Sequence, residues 1–122
     1  MRGMSTRVDE WKAAWESRDV ARIIALYAPD ATHASHLVPL ILPEAGGSVC
    51  RGREQIAEYF RRALARFREL RFALATVTED ATRSAVEYHR HSDVDGDDPK
   101  HVLELLEWEG GVLRAVRVFH FA

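Results

Sequence analysis

A single cysteine, Cys50, stands in 122 residues, so no disulfide can form within the chain. That excludes the disulfide-stapled small folds and predicts a reducing, cytoplasmic setting. Among strand-like neighbours Cys50 reads as a small apolar filler, with a nucleophile as the alternative. Charge of one sign is not in excess either: 17 Lys and Arg stand against 19 Asp and Glu, a net charge of −2. Phosphate binding wants a basic face, so no nucleic acid partner is expected. Long apolar runs are missing. The longest, Leu37 to Pro43 (LVPLILP), is too short to span a bilayer and holds two prolines, so no membrane partner is expected. The opening MRGMSTRVDE has no apolar signal core, from which no export is expected. Glycine-rich phosphate loops, serine elbows and nucleotide fingerprints do not occur, so no cofactor is expected.

What the chain does have is core material. Hydrophobic residues make up 47% and charged residues 30%, the balance of one globular domain over residues 1–122. Ser5 and Thr6 offer an N-cap, with Asp9 as a capping-box acid, before Val8, Trp11 and Trp15 recur at helical spacing. Asp19 caps a second short helix with the stripe Val20, Ile23, Ile24 and Tyr27, and Pro29-Asp30 reads as its end. Residues 31–37 read as a strand with His33, Ser35 and Leu37 on one face. Residues 38–47 read as a loop, too apolar for open solvent and therefore a pocket lid or a subunit contact. Residues 48–51 form a short strand.

Residues 53–67 carry the clearest helical period: Ile56, Tyr59, Phe60, Ala63, Leu64 and Phe67. The arginines at 61, 62, 66 and 68 read as its wet face. Strands then follow at 71–78, 83–91, 101–108 and 112–121, the last two joined by Glu109-Gly110-Gly111. On the first of these, Phe72, Leu74 and Thr76 share a face by alternation. The acidic stretch Asp93 to Pro99 lacks the glutamate a calcium loop needs and reads as a surface turn. The order predicts an α+β fold, with helices packed on one face of a curled antiparallel sheet and a cavity at its open end.

At this point the chain resembles the nuclear transport factor 2-like superfamily and, within it, the SnoaL-like domain. The likeness rests on WKAAWESRDVARIIALYAPDAT, on GREQIAEYF and on LELLEWEGGVLRAVRVFHF, in that order along nearly the whole chain. It implies a cone-shaped, cystatin-like α+β barrel with an apolar pocket, and commonly a homodimer through the outer sheet face, here Ala73, Ala75, Leu103 and Leu105. The superfamily includes ketosteroid isomerases, limonene epoxide hydrolase, polyketide cyclases and non-catalytic binding modules, so fold does not name the chemistry. Ser35 falls where the ketosteroid isomerases keep an aspartate base, and Trp11 where they keep an oxyanion-donating tyrosine. Glu104 falls near the aspartic acid that assists that donor. The epoxide hydrolase's arginine and two aspartates fall near Tyr88, Arg90 and Val118, so its paired acids are missing. The polyketide cyclases supply no matched acid or base.

Three residues stand out as candidate catalytic groups. His33 shares a face with Ser35 and can move protons if that face is interior; otherwise it is a bonded core histidine. Glu104 shares a face with Val102, Leu106 and Trp108, where a carboxyl among apolar neighbours would stay protonated. Leu103 and Leu105 are equally apolar, so alternation leaves the face open and only the resemblance turns Glu104 inward. Trp11 is the third, as a donor to a developing oxyanion. Trp15, Tyr27, Ser35, Tyr88 and Trp108 are candidate ligand-binding walls, with plain core packing as the alternative. His89 and His91 make an HxH pair beside Glu87, but no third ligand is spaced for a metal, so a histidine ladder is the simpler reading and no metal is expected.

Two functions remain open. One is a cofactor-independent isomerase, cyclase or dehydratase acting on a small carbonyl compound, with His33 as proton shuttle and Glu104 and Trp11 polarising the oxygen. The other is a non-catalytic module that binds a small apolar or aromatic molecule, or serves as a dimer scaffold.

Overall fold

The computed structural model describes residues 5–122. Residues 1–4, part of the opening read above as lacking a signal core, lie outside the described residues. Helix α1 spans Thr6–Ser17 and is capped by Ser5, whose Oγ accepts from Val8 N. It buries Val8, Trp11 and Ala14. Arg18 closes it in the left-handed region at φ 59°, its N–H bonding Trp15 O. Asp19 then caps α2, Val20–Ile24, by accepting from Ala21 and Arg22 N–H.

The chain enters β1 at Tyr27, earlier than alternation suggests. Strand β1 runs Tyr27–Ala34, and Pro29-Asp30 lies inside it as an irregularity rather than ending a helix. The register against the last strand slips between Tyr27 and Thr32, which absorbs the proline without a ladder N–H. Residues 38–47 are not a loop. They fold into α3, Val38–Ile41, with a proline in its first turn, and a 3₁₀ turn, Pro43–Ala45. Val38 and Leu42 are buried there, which explains the apolar composition, while Leu40 stays 76% exposed. Leu37 accordingly begins a helix instead of continuing the strand.

Strand β2, Val49–Arg51, leads into α4, Arg53–Leu64. This helix buries Ile56, Tyr59, Phe60 and Leu64 against the sheet, and Phe67 is buried just beyond its end. Arg53 Nε donates to Tyr27 O at 2.7 Å and ties the start of α4 to the start of β1. Four strands complete the chain: β3, Leu70–Glu79; β4, Arg83–Ser92; β5, Lys100–Glu109; and β6, Val112–His120. Gly110 and Gly111, both at positive φ, make the tight β5–β6 turn.

The six strands form one curved, unclosed sheet in the order β2-β1-β6-β5-β4-β3. All pairs are antiparallel except β1 with β6, which is parallel. A bulge at Ala75 breaks the alternation of β3, so Thr76 pairs with Glu87 and bonds its carboxylate on the outer face. Thr76 therefore does not share the inner face with Phe72 and Leu74. Among the described residues no helix is long and apolar enough to cross a membrane.

Candidate functional site: a cavity between the long helix and the sheet

Alternation along the central strands fixes what faces inward. Val86, Glu104 and Val118 lie side by side across β4, β5 and β6, and Tyr88, Val102 and His120 form the next row. Leu103 and Leu105 look outward and are half-buried, so the ambiguity between the two faces of β5 resolves with Glu104 inside. From β1, His33 and Ser35 point to the same interior. Helix α4 and the turn after it supply Tyr59, Leu64 and Phe67, α1 supplies Trp15, and Leu37 and Ile41 close one side. Together they line a cavity of about 70 Å³, and because Arg66 is exposed and Arg90 and His120 half-buried in that lining, its mouth is assigned to their side.

Glu104 is the most constrained polar group. It is 3% exposed, and Oε2 accepts from the Tyr88 hydroxyl. Its Oε1 is buried and has no partner among the described residues. Burial pushes the carboxyl up to about 7, against the Tyr88 hydrogen bond, which lowers it. Tyr88 is itself held well above the ordinary tyrosine range by burial and by the Glu104 charge, so it stays a donor.

His33 is 2% exposed. Its ring packs edge-on to Phe60 at 5.0 Å and lies 5.6 Å from Tyr59. Nδ1 stands 3.1 Å from the Tyr27 hydroxyl. Burial lowers its pKa to about 3, so the ring is neutral at physiological pH. Burial also raises Tyr27 well above its usual value, so its hydroxyl stays protonated, and a hydroxyl that donates to Nδ1 leaves the His33 proton on Nε2. Ser35 lines the cavity while its Oγ accepts from Leu37 N, which turns the chain into α3.

The other candidates divide. Trp15 and Tyr88 line the cavity. Trp15 stacks on Phe72 and meets Phe60 edge-on, and its indole N–H is buried without a partner among the described residues. Trp11 and Tyr27 do not line it. Trp11 is fully buried beside Phe72 and Tyr88, and Tyr27 stands behind His33. Trp108 lies elsewhere, next to the β5–β6 turn, donating to Ser84 Oγ at 3.0 Å with Arg7 over its ring. It shares the inner face of β5 with Glu104 but lies outside the cavity lining.

His120, Arg90, Tyr59 and Phe67 also line the cavity and were not among the site residues expected from sequence, where Tyr59 and Phe67 read only as core positions of the helix. The signal existed for two of them: Arg90 follows Tyr88, and His120 follows Val118, at period two. His120 Nδ1 is buried without a partner among the described residues. Burial, with His36 and Arg90 nearby, lowers its pKa to about 4.

On the outer face His89 stacks on His101, which stacks on Phe121, and Glu87 pairs with His101. Among the described residues no group of three or more His, Cys, Asp or Glu is arranged to hold a metal. The residues 38–47 segment is tied to α4: Arg62 binds Glu44 at 3.0 and 2.7 Å and Ile41 O at 3.3 Å. In the acidic turn Asp95 is committed to Arg90, and Asp93 accepts from the Arg68 and Glu69 N–H groups.

Comparisons with known proteins agree with this geometry. A search of curated proteins finds no match. Among solved structures, a protein with a ketosteroid isomerase-like fold from Catenulispora acidiphila, in complex with trimethylamine, superposes with a TM-score of 0.76. It is 21% identical, over 96% of this chain and 86% of that one. A candidate polyketide cyclase from Sinorhizobium meliloti gives 0.75 at 15% identity, over 95% of each chain. TerC, co-crystallized with polyporic acid, gives 0.75 at 15% identity, over 94% of this chain and 88% of that one. At such identities the likeness is one of fold. The model of the SnoaL-like domain matches residues 8–122, and the chain belongs to that family.

Proposed function

We propose that the cavity binds a small apolar carbonyl compound and moves a proton on the carbon next to its carbonyl, without a cofactor. The observation that carries this is the buried, unpartnered Oε1 of Glu104 in the cavity wall, on a carboxyl whose pKa lies near neutrality. A group that titrates near the working pH is the most effective proton carrier. His33 suits a different task. With its pKa near 3 it takes no proton at pH 7, but its Nε2–H can donate to a ligand oxygen as a neutral imidazole. The Trp15 N–H is a further donor.

The roles expected from sequence are thus exchanged. The Glu104 carboxylate takes the proton from carbon, His33 holds the developing enolate oxygen, and Glu104 returns the proton to the same or a neighbouring carbon. Trp11, expected as an oxygen-polarising donor, becomes a packing residue behind the Tyr88 ring. Two fold relatives are solved with small molecules, trimethylamine and polyporic acid, which supports small-molecule binding.

Hydrogen–deuterium exchange at the α-carbons of cyclohexanone in D₂O, followed by NMR, tests the reading. The protein should accelerate exchange above buffer, and Glu104→Gln should reduce that acceleration by about 10²-fold or more. Wild-type exchange at the buffer rate, with cyclohexanone shown to bind, would leave the non-catalytic binding module as the function.

The outer sheet face supports a homodimer. Leu103 pairs with Phe119 there, Ala73 lies nearby on β3, and Phe119 and Phe121 are 46% and 51% exposed. Light scattering at micromolar concentration should give a dimer mass for the wild type and a monomer mass for Leu103→Asp. A monomeric wild type would remove the proposal.

A further inference from the structure

We infer that the ligand carries an anionic oxygen group, a carboxylate or an acidic hydroxyl, held at the cavity mouth by Arg66, Arg90 and His120. This rests on the pocket reading above and adds the ligand's charge and length to it.

The rows of the sheet give the cavity a depth scale. Glu104 stands in the row with Val86 and Val118, His120 in the next row with Tyr88 and Val102, and Arg90 one inner step further along β4. Each step is two residues, about 7 Å of strand. The mouth is therefore one to two steps from the carboxyl that would do the chemistry.

Charge changes sign along that scale. Glu104 is the one carboxylate in the lining. The mouth holds basic groups, and they are incompletely matched. Arg66 and Arg90 flank the Phe67 ring, their guanidinium carbons 4.8 and 5.1 Å from its centroid. Arg90 gives Nε and one terminal nitrogen to Asp95 at 2.9 and 2.8 Å. Arg66 gives Nε to Ala63 O at 3.1 Å and pairs with no carboxylate among the described residues. His120 adds a buried ring nitrogen without a partner among the described residues, with the His36 ring edge-on at 4.8 Å.

A buried polar atom without a partner is costly, and a ligand oxygen at His120 Nδ1 removes that cost. An anionic oxygen there also meets the unmatched charge of Arg66 in a partly desolvated mouth, where charge-assisted hydrogen bonds are strongest. The apolar body then lies against Phe67, Phe72 and Trp15, and a second oxygen reaches Glu104 and His33. A short keto acid or a small aromatic acid has this shape.

Benzoate and benzamide, nearly equal in shape and different in charge, separate the possibilities. Titrated into the ¹⁵N-labelled protein, both should shift amides of β5, β6 and the residues after α4. Benzoate should bind about tenfold more tightly or better, the equivalent of one charge-assisted contact. Arg66→Gln, at an exposed position, and His120→Gln should each shrink that preference, weakening benzoate more than benzamide. Benzamide binding as well as benzoate would overturn the anionic ligand and leave the pocket reading standing. A benzoate preference untouched by both substitutions would overturn the assignment of the mouth residues. If neither probe perturbs the cavity, both readings fall.

Discussion

Between pH 4.5 and 6.5 the protein should gain stability as pH rises, and Glu104→Gln should make that gain steeper. The reason is a contest between buried groups of opposite kind. His33 has its pKa lowered from 6.5 to about 3 by burial. Within the window the unfolded chain binds a proton that the native ring does not. Its contribution is present above pH 6.5 and is lost as pH falls toward 3, with a slope of about 1.4 kcal/mol per pH unit. His120, lowered to about 4, acts in the same direction, with less weight because it is only partly buried.

Glu104 opposes both. Its pKa is raised from 4.5 to about 7, so the native carboxyl holds a proton that the unfolded one has lost. Its contribution is present below pH 4.5 and is lost as pH rises through 7. Two histidines outweigh one carboxyl, so the net slope is positive. Removing the carboxyl's titration leaves the histidines unopposed, and the variant's slope should be at least about twice the wild-type value. His33→Gln should flatten the slope instead. The exposed carboxylates with lowered pKa values, such as Glu44, Glu58, Asp80, Glu87 and Asp93, act mainly below this window. Urea unfolding at constant ionic strength across the window gives each slope directly. A Glu104→Gln slope equal to or shallower than the wild type would sink the assignment.

Phe60→Ala should lower stability by about 3–5 kcal/mol, a loss of roughly 10–20 °C in Tm for a chain of this size. Phe60 is fully buried. It is the ring on which the site is assembled: Trp15 lies 4.8 Å from it, His33 5.0 Å and Tyr27 5.6 Å, all edge-on. Truncation removes the transfer energy of the ring and leaves a void that these three side chains cannot all fill. Phe119→Ala, at a half-exposed position, is the comparison and should change stability by less than about 0.5 kcal/mol in the monomer. Calorimetry on both variants decides it. A Phe60→Ala shift of only a few degrees would mean that the core around His33 collapses to fill the gap.

Much of this arrangement was legible in the sequence, for reasons that differ by element. The α4 period exposed Ile56, Tyr59, Phe60 and Leu64 because one face of a helix on a sheet must be apolar. Tyr88 was expected as a pocket wall, and the alternation of β4 turns it inward while the polar Glu87 and His89 face out. On β5 alternation could not decide, since Leu103 and Leu105 lie on a half-buried outer face and are as apolar as the inner residues; the family resemblance turned Glu104 inward. The Ala75 bulge and the Pro29 irregularity escaped because each is a backbone adjustment to a partner strand far off in sequence. The short helix at Val38–Ile41 escaped because two prolines and two glycines argue locally for a loop, and only burial of Val38 and Leu42 against the rest of the fold overrides them. Pattern put forward His33, Ser35, Trp15 and Tyr88, the resemblance added Glu104, and all five line the cavity. Neither could grade their acidity, because a pKa depends on desolvation and on partners such as the Tyr88 hydroxyl, which strand pairing brings to Glu104 across sixteen residues.

The parallel pairing of β1 with β6 has a kinetic consequence. It joins residues 27–34 to residues 112–120, so it closes one of the longest loops the chain can make. The hairpins β3–β4, β4–β5 and β5–β6 involve neighbours and can form as soon as they are synthesised. Strand β1, with His33, must wait. During synthesis it has left the ribosome long before its permanent neighbour exists, held by the short β2 edge and by α4 through Arg53, Tyr59 and Phe60. The side chains of the site are thus among the last to be enclosed, and this is the interval in which an apolar β1 edge is open to wrong partners.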